Sequence, residues 1–245
     1  MVSKLSNKLK YFFLKEQFNP SFLVLFINPF YFARKAIYNN IKSYASNIKG
    51  KTLDVGYGTK PYEYLFDCEE YIGLDTVNSG HKHEFSSIDI VYDGTNIPFE
   101  NNYFDSIVCF EVLEAIFEPK CFLKELTRVL KPGGYALFTV PFIWDEHDQP
   151  NDYARYSSFG LKHLFEEQGF IVLENGKYLD DLRLIFLLVN AYIYKVIKRI
   201  LPNRVLSYML ILPLTSFNNI IGHISFIFPK NRDLYFGNIF LLKKV

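Results

Sequence analysis

The sequence predicts an α/β fold built on a parallel, doubly wound sheet. Three observations carry that expectation: short apolar runs alternate with segments of helical period from about residue 51 to 175, loops rich in Gly and Pro punctuate them, and an acid stands at or beside the end of four successive runs. Sheets of this kind bind ligands beyond the carboxyl ends of their strands, so Asp54, Asp75, Asp93 and Glu111 are the first candidates for a site.

In order along the chain, Lys51 to Val55 reads as a short strand that ends in the loop Gly56-Tyr57-Gly58-Thr59-Lys60-Pro61, and Tyr62 to Phe66 suits a helix. Tyr71 to Leu74 is a second strand closed by Asp75, Ser87 to Tyr92 a third closed by Asp93, and Phe104 to Phe110 a fourth closed by Glu111. Between 120 and 130 a helical period places Phe122, Leu123, Leu126, Val129 and Leu130 on one side, and Lys131-Pro132-Gly133-Gly134 stops that helix. Tyr135 to Val140 is the fifth strand, Ser157 to Glu167 a helix ended by Gly169, Phe170 to Leu173 a sixth strand and Phe236 to Leu242 a seventh.

A chain of 245 residues, 49% hydrophobic and 22% charged, is long enough for one full core with an elaboration and excludes a disordered, collagen-like or disulfide-framework protein. Cys68, Cys109 and Cys121 form no CxxC pair, which argues against a zinc knuckle and for a reducing cytoplasm. His81, His83, His163 and His223 have no ligand spacing with those thiols, and no metal is expected.

The net charge of +1 conceals segregation. Residues 1–51 carry nine bases and one acid, residues 52–181 nine bases and 24 acids, and residues 182–232 seven bases and no acid. An acidic middle between two basic, apolar segments fits a nucleic-acid enzyme poorly and an enzyme resting on an anionic membrane well. The sixteen uncharged residues between Gln17 and Arg34 are broken by Pro20 and Pro29, too short and interrupted for a span of about 20 residues. Residues 205–229 are uncharged for 25 residues, but Pro213, Asn218, Asn219 and His223 favour an interfacial helix or helical hairpin over a full span, with a helical cap packed on the protein's own core as the alternative.

Leu53-Asp54-Val55-Gly56-Tyr57-Gly58, Asp75, Asp93-Gly94-Thr95-Asn96-Ile97-Pro98-Phe99, Phe104 through Glu114, and Leu126 through Gly134 stand in the order of five motifs. This series resembles the class I S-adenosylmethionine-dependent methyltransferases, in the branch with an LDVGxG loop and a VLEH segment, over roughly residues 48–175. The resemblance implies a Rossmann-like, doubly wound seven-stranded sheet, mostly parallel, with an antiparallel last strand and a hydrophobic helical insertion before it. It implies S-adenosylmethionine as cofactor, with Gly56, Tyr57 and Gly58 approaching its methionine part, Asp54 placing its amino group, Asp75 gripping the ribose hydroxyls, and Asp93, Gly94 and Thr95 at the adenine, above a floor that includes Glu111. A dinucleotide fingerprint fails, because Pro61 stands where its third glycine belongs.

Three positions depart from the family pattern. Tyr57 replaces a common Cys, Lys60 stands at a frequent third Gly, so that a tighter or partly filled loop is expected, and Ala115 replaces the His of VLEH. Methyl transfer requires none of these groups, since its rate comes chiefly from holding nucleophile, methyl and sulfur in line.

After strand five, Pro141 through Tyr156 resembles a family variant of form HxxPxDxxRY that lies over the methyl-transfer end of the pocket. His147 is the catalytic candidate, as a base for a hydroxyl or amine acceptor. The alternative is that His147, Asp152 and Arg155 tie the loop down, with Trp144 and Tyr156 as wall or core.

The expectation is therefore one methyltransferase domain over 1–245, with a basic apolar helical segment at 1–50 and a basic apolar helical insertion at 182–232. Strands six and seven share one sheet, so an odd number of membrane spans between them is excluded. The acceptor is expected to be a small molecule, a glycan or lipid-linked, and the location cytoplasmic, as a peripheral protein on an anionic membrane. Nucleic acid is not an expected partner. The alternative function is a catalytically inert methyltransferase-like module that anchors a partner at the membrane.

Overall fold

The structure, a computed structural model, describes residues 15–56, 58–76, 89–147 and 149–245. The described residues divide into two compact units, one within 40–177 with 237–245 and the other within 15–39 with 178–236.

The larger unit holds a seven-stranded sheet: β1 (Lys49–Val55), β2 (Asp67–Thr76), β3 (Ile90–Tyr92), β4 (Phe104–Phe110), β5 (Leu130–Pro141), β6 (Phe170–Tyr178) and β7 (Gly237–Lys244). Their order is β3-β2-β1-β4-β5-β7-β6, with β3, β2, β1, β4 and β5 mutually parallel and β7 antiparallel to β5, as the sequence motifs imply.

Two sequence-derived boundaries shift for physical reasons. The helix expected over Tyr62 to Phe66 is a single 3-10 turn, Glu63–Leu65, because only eleven residues separate β1 from β2 and β2 begins at Asp67 rather than Tyr71. Strand β5 starts at Leu130, where Leu130 opposes Phe104 and Tyr135 opposes Ser106, so Lys131-Pro132-Gly133-Gly134 forms a bulge within the strand. Gly134 is needed there, since a Cβ would lie 2.9 Å from the Asp105 carbonyl oxygen. Of the expected third strand, Ser87 and Ile88 lie outside the described residues, and Ile90–Tyr92 is β3.

Helices α2 (Pro119–Val129) and α3 (Ser158–Glu167) cover this sheet, following α1 (Tyr31–Tyr44) in the chain. Pro119 opens α2 where a missing N–H costs nothing, and Phe122, Leu123, Leu126 and Val129 are its buried side. Ser157 caps α3 by accepting from the Gly160 N–H. Phe104, Phe138, Phe165 and Phe240 are fully buried between strands and helices, each burial worth roughly 1.5–3 kcal/mol.

Arg128 joins α2 to the segment after β3. Its guanidinium donates to the carbonyls of Ile97 and Phe99, both at 2.8 Å, and pairs with Glu125, whose carboxylate accepts the Ile97 N–H at 3.1 Å. That clamp fixes the loop that follows Asp93.

In the smaller unit, α4 (Arg183–Ile200) and α5 (Arg204–Ile224) form a hairpin joined by three residues, and Asn203 caps α5 by accepting from Val205 and Leu206. Its interior is joined by amides. Asn190 donates to Asn219 and to the Pro29 carbonyl, Asn218 donates to Asn190 and to the Phe186 carbonyl, and Asn219 donates to the carbonyls of Leu25 and Asn28, all between 2.7 and 3.0 Å. The asparagines that argue against a span in the sequence are thus satisfied inside the protein. Gly222 lets the helices close, since a Cβ would stand 2.7 Å from the Phe32 ring.

Candidate functional site

The carboxyl end of β1 is where a ligand can approach main chain. Gly56 follows β1, donates its N–H to the Leu74 carbonyl at 2.8 Å and has φ +72°; a Cβ there would fall 2.3 Å from Val112 Cγ2. Both the left-handed conformation and the close passage require glycine. Gly58 has φ +57°, and Tyr57 lies outside the described residues. Lys60, also at positive φ, turns away along β2, pairing with the Asp89 carboxylate and reaching the Tyr71 carbonyl at 3.4 Å.

The acids gather at the ends of parallel strands. Asp54 on β1 is buried and accepts the Tyr71 hydroxyl at 2.6 Å; burial pushes its carboxyl up to about 7, against the opposing pull of Tyr71 and the Lys60 ammonium. Asp75, near the end of β2, is buried, with one oxygen accepting the Thr76 N–H at 2.7 Å. A buried carboxylate at a strand end suits a diol, which donates twice.

Asp93 follows β3 and is exposed. Its Oδ1 accepts the N–H groups of Thr95 and Asn96 at 2.8 and 2.7 Å, and these bonds hold its carboxyl well below the usual range. It shapes the turn that carries Gly94, at φ +86°, and the exposed Thr95. Glu111, just past β4, is a non-glycine residue at φ +55° whose N–H donates to the Thr139 carbonyl at 2.9 Å. Such strain in a side-chain-bearing residue collects at functional sites.

His147 sits in a charged cluster. Its N–H donates to Asp152 Oδ2 at 2.9 Å, Nδ1 lies 3.3 Å from that oxygen and 3.3 Å from Arg155 Nη2, and Nε2 lies 3.8 Å from Glu114 Oε1. Arg155 grips Asp152 with both terminal nitrogens, at 2.5 and 2.7 Å, and donates to the Asp145 carbonyl at 2.7 Å. The tie-down expected of His147, Asp152 and Arg155 is therefore present, and the ring keeps about a quarter of its surface (28%) exposed. A cavity of about 200 Å³ is lined by Trp144, Glu146, Asp152, Tyr153, Ala154 and Arg155, while Tyr156 packs against the core.

Two contributors were not singled out from sequence. Glu114 is buried, and its main-chain carbonyl accepts the N–H groups of Tyr153 and Ala154 at 2.9 and 3.2 Å, pinning the loop after β5 to the turn after β4. Tyr71 reaches Asp54 from the neighbouring strand. Tyr71 leaves no local signal, because its partner lies on another strand; Glu114 is the acid of the VLEH segment, but its hold on Tyr153 and Ala154 comes only with the fold. Among the described residues no group of three or more His, Cys, Asp and Glu side chains could hold a metal; His81 and His83 lie outside them.

Residues 53–138, which hold every one of these elements except the His147 loop, match a family described as a methyltransferase domain. That stretch is a class I S-adenosylmethionine-dependent methyltransferase domain. S-adenosylmethionine is the methyl donor of this family. The residues present fit that group: Gly56 and Gly58 turn the main chain at positive φ just past β1, and buried Asp54 and Asp75 offer acceptors at adjacent strand ends.

Among curated relatives, a phthiotriol/phenolphthiotriol dimycocerosates methyltransferase of Mycobacterium ulcerans is 39% identical over 75 residues, 28% of each chain. A fatty-acid O-methyltransferase of Mycolicibacterium smegmatis is 32% identical over 105 residues, 38% of each. A demethylmenaquinone methyltransferase of Staphylococcus saprophyticus is 28% identical over 168 residues, 51% of this chain and 72% of that one. The chain thus spans well under half the length of the first two. In fold, it is similar to phosphoethanolamine N-methyltransferase 2 of Haemonchus contortus, with TM-score 0.53 and 16% identity over 94% of this chain and 58% of that one. It is also similar to the cyclase SpnF, with TM-score 0.52 and 16% identity over 84% of this chain and 79% of that one. A fold shared with a cyclase leaves the reaction to the site.

Proposed function

We propose that this protein transfers a methyl group from S-adenosylmethionine to a small-molecule or lipid-linked acceptor, and that it does so at the cytoplasmic surface of a membrane. The observation that carries the reading is the glycine loop after β1 standing beside buried Asp54 and Asp75, within the stretch that matches the methyltransferase family. The named relatives, which methylate dimycocerosates, a fatty acid and a menaquinone precursor, support an apolar or lipid-like acceptor. The bases Lys195, Lys198, Arg199 and Arg204 around the turn between α4 and α5, in a stretch without one acid over residues 182–232, support the membrane surface.

When bound, the cofactor supplies an electrophilic sulfonium methyl. Gly56 and Gly58 admit it to the main chain, Asp54 takes its ammonium, and Asp75 takes the ribose diol. The turn shaped by Asp93, with Gly94 and Thr95, borders the adenine, and strained Glu111 stands at the floor. His147, held by Asp152 and Arg155, would take the proton that a hydroxyl acceptor gives up.

Calorimetric titration with S-adenosylmethionine and S-adenosylhomocysteine, with NAD as control, tests the cofactor, and transfer of labelled methyl into a lipid extract tests the acceptor. Micromolar binding of the first two and label in an extractable lipid are expected. Binding without transfer to any acceptor points to an inert module, and binding of NAD alone overturns the reading.

A further inference from the structure

Helix α5 is built inside out. The residues it buries are Ser207, Ile211, Thr215, Asn219 and Gly222, four of the five polar or small. Leu206, Met209, Leu210, Phe217 and Ile224 are instead between 50% and 66% exposed. The spacing i, i+3, i+4, i+11, i+18 keeps these five on one face, and a helix of a water-soluble protein turns such a face inward.

The inward groups need no water. Thr215 donates to the Ile211 carbonyl at 2.8 Å, and Asn219 is held by Asn190 and by the carbonyls of Leu25 and Asn28. The outward face is continued by the exposed Phe22, whose ring meets His223 at 5.4 Å. What covers this face in function must therefore be apolar.

Charge selects the occupant. Four of the seven bases in residues 182–232 are Lys195, Lys198, Arg199 and Arg204, beside the turn of the α4–α5 hairpin, and Lys198 stands 4.1 Å from the centre of the Tyr208 ring. Carrying that turn into hydrocarbon would be heavily penalised, so it stays at headgroup depth. A helix whose Asn219 side is held by Asn190 and by the carbonyls of Leu25 and Asn28 offers lipid only its opposite side, and so lies along a surface.

We propose that the exposed face of α5 docks in the plane of one leaflet of an anionic bilayer, with Leu206, Met209, Leu210, Phe217 and Ile224 at the acyl boundary and the basic hairpin turn on lipid phosphates. The proposal rests on the membrane-surface reading above and specifies its face, depth and lipid charge.

The test uses the full chain and phosphatidylcholine vesicles with and without phosphatidylglycerol, with S-adenosylmethionine affinity measured on the same preparations so that a failure of docking is separable from a failure of the methyltransferase reading. Flotation with the anionic vesicles, release by alkaline carbonate, and at least about tenfold weaker partition of the L210E/F217E double variant are expected. F217W, which preserves bulk, should gain fluorescence that lipids brominated high on the chain quench more than lipids brominated near its end. Equal binding to neutral vesicles, resistance to carbonate, or stronger quenching from the chain ends overturns the proposal. So does a chain that ignores vesicles and sediments as a dimer that the double variant abolishes, because a second copy then covers the face.

Discussion

The Tyr71 hydroxyl donates to Asp54 Oδ2 across 2.6 Å, linking β2 to the end of β1 at the cofactor loop. Burial holds the Asp54 carboxyl at about 7, whereas in an unfolded chain it titrates near about 4. Between those values the folded chain keeps a proton that the unfolded chain releases. Unfolding free energy should therefore fall as pH rises from about 4 to about 7 and level off above. Asp54→Asn should remove most of that slope in denaturant titrations, and an unchanged slope would assign the proton elsewhere. Tyr71→Phe should cost about 1–3 kcal/mol above the Asp54 pKa and less below it, because only the ionised carboxylate depends strongly on the donor.

Cofactor affinity should follow the same proton. An ammonium bound beside Asp54 favours the carboxylate, so affinity should rise through about pH 7 with proton release. Calorimetry in buffers of different ionisation enthalpy reads that release directly, and heats independent of buffer would remove Asp54 from the ammonium site.

Asp75 and Asp93 should separate by kind of defect. Asp75→Ala should weaken cofactor binding by about 1.5–3 kcal/mol, the scale of hydrogen bonds to a charged group. Asp93→Ala removes the acceptor for the Thr95 and Asn96 N–H groups and should loosen the turn as well, while Asp93→Asn retains the turn. Affinities together with hydrogen exchange over residues 93–97 distinguish the two, and equal exchange in both variants would deny Asp93 its turn role.

Gly56→Ala should be far more damaging than Gly94→Ala. Both residues have positive φ, but the added Cβ meets Val112 at 2.3 Å in the first and Thr76 at an ordinary 3.7 Å in the second. Backbone strain alone costs about 1–2 kcal/mol, so Gly94→Ala should shift the melting temperature modestly, and Gly56→Ala should abolish cofactor binding or folding. Equal melting temperatures would mean that Val112 moves aside freely.

At the loop after β5, His147→Ala should lower turnover more than cofactor affinity. Arg155→Ala should lower turnover too, while also freeing the loop. The Arg155 guanidinium lowers the Asp152 carboxyl to about 2, so the stability it adds is present above about pH 4 and lost as pH falls toward 2. Loop protection by hydrogen exchange from about pH 4 down to about pH 2 follows this, and unchanged turnover in His147→Ala leaves His147 with the loop-holding role alone.

The sheet, its strand ends, the acids standing there and the family were all legible in the sequence, because those signals are local: alternation, a glycine turn and an acid one residue on. An acid-free, apolar segment before the last strand was equally plain. Folding in three dimensions settled the rest: the first crossover shrinks to a turn, Glu111 sits at positive φ, and Tyr71 and Glu114 support the site. It also joined Asn219 to Leu25 across 194 positions and turned the polar side of α5 inward. Hydropathy along a chain adds up what a helix contains; which side it shows depends on partners that only folding brings within reach.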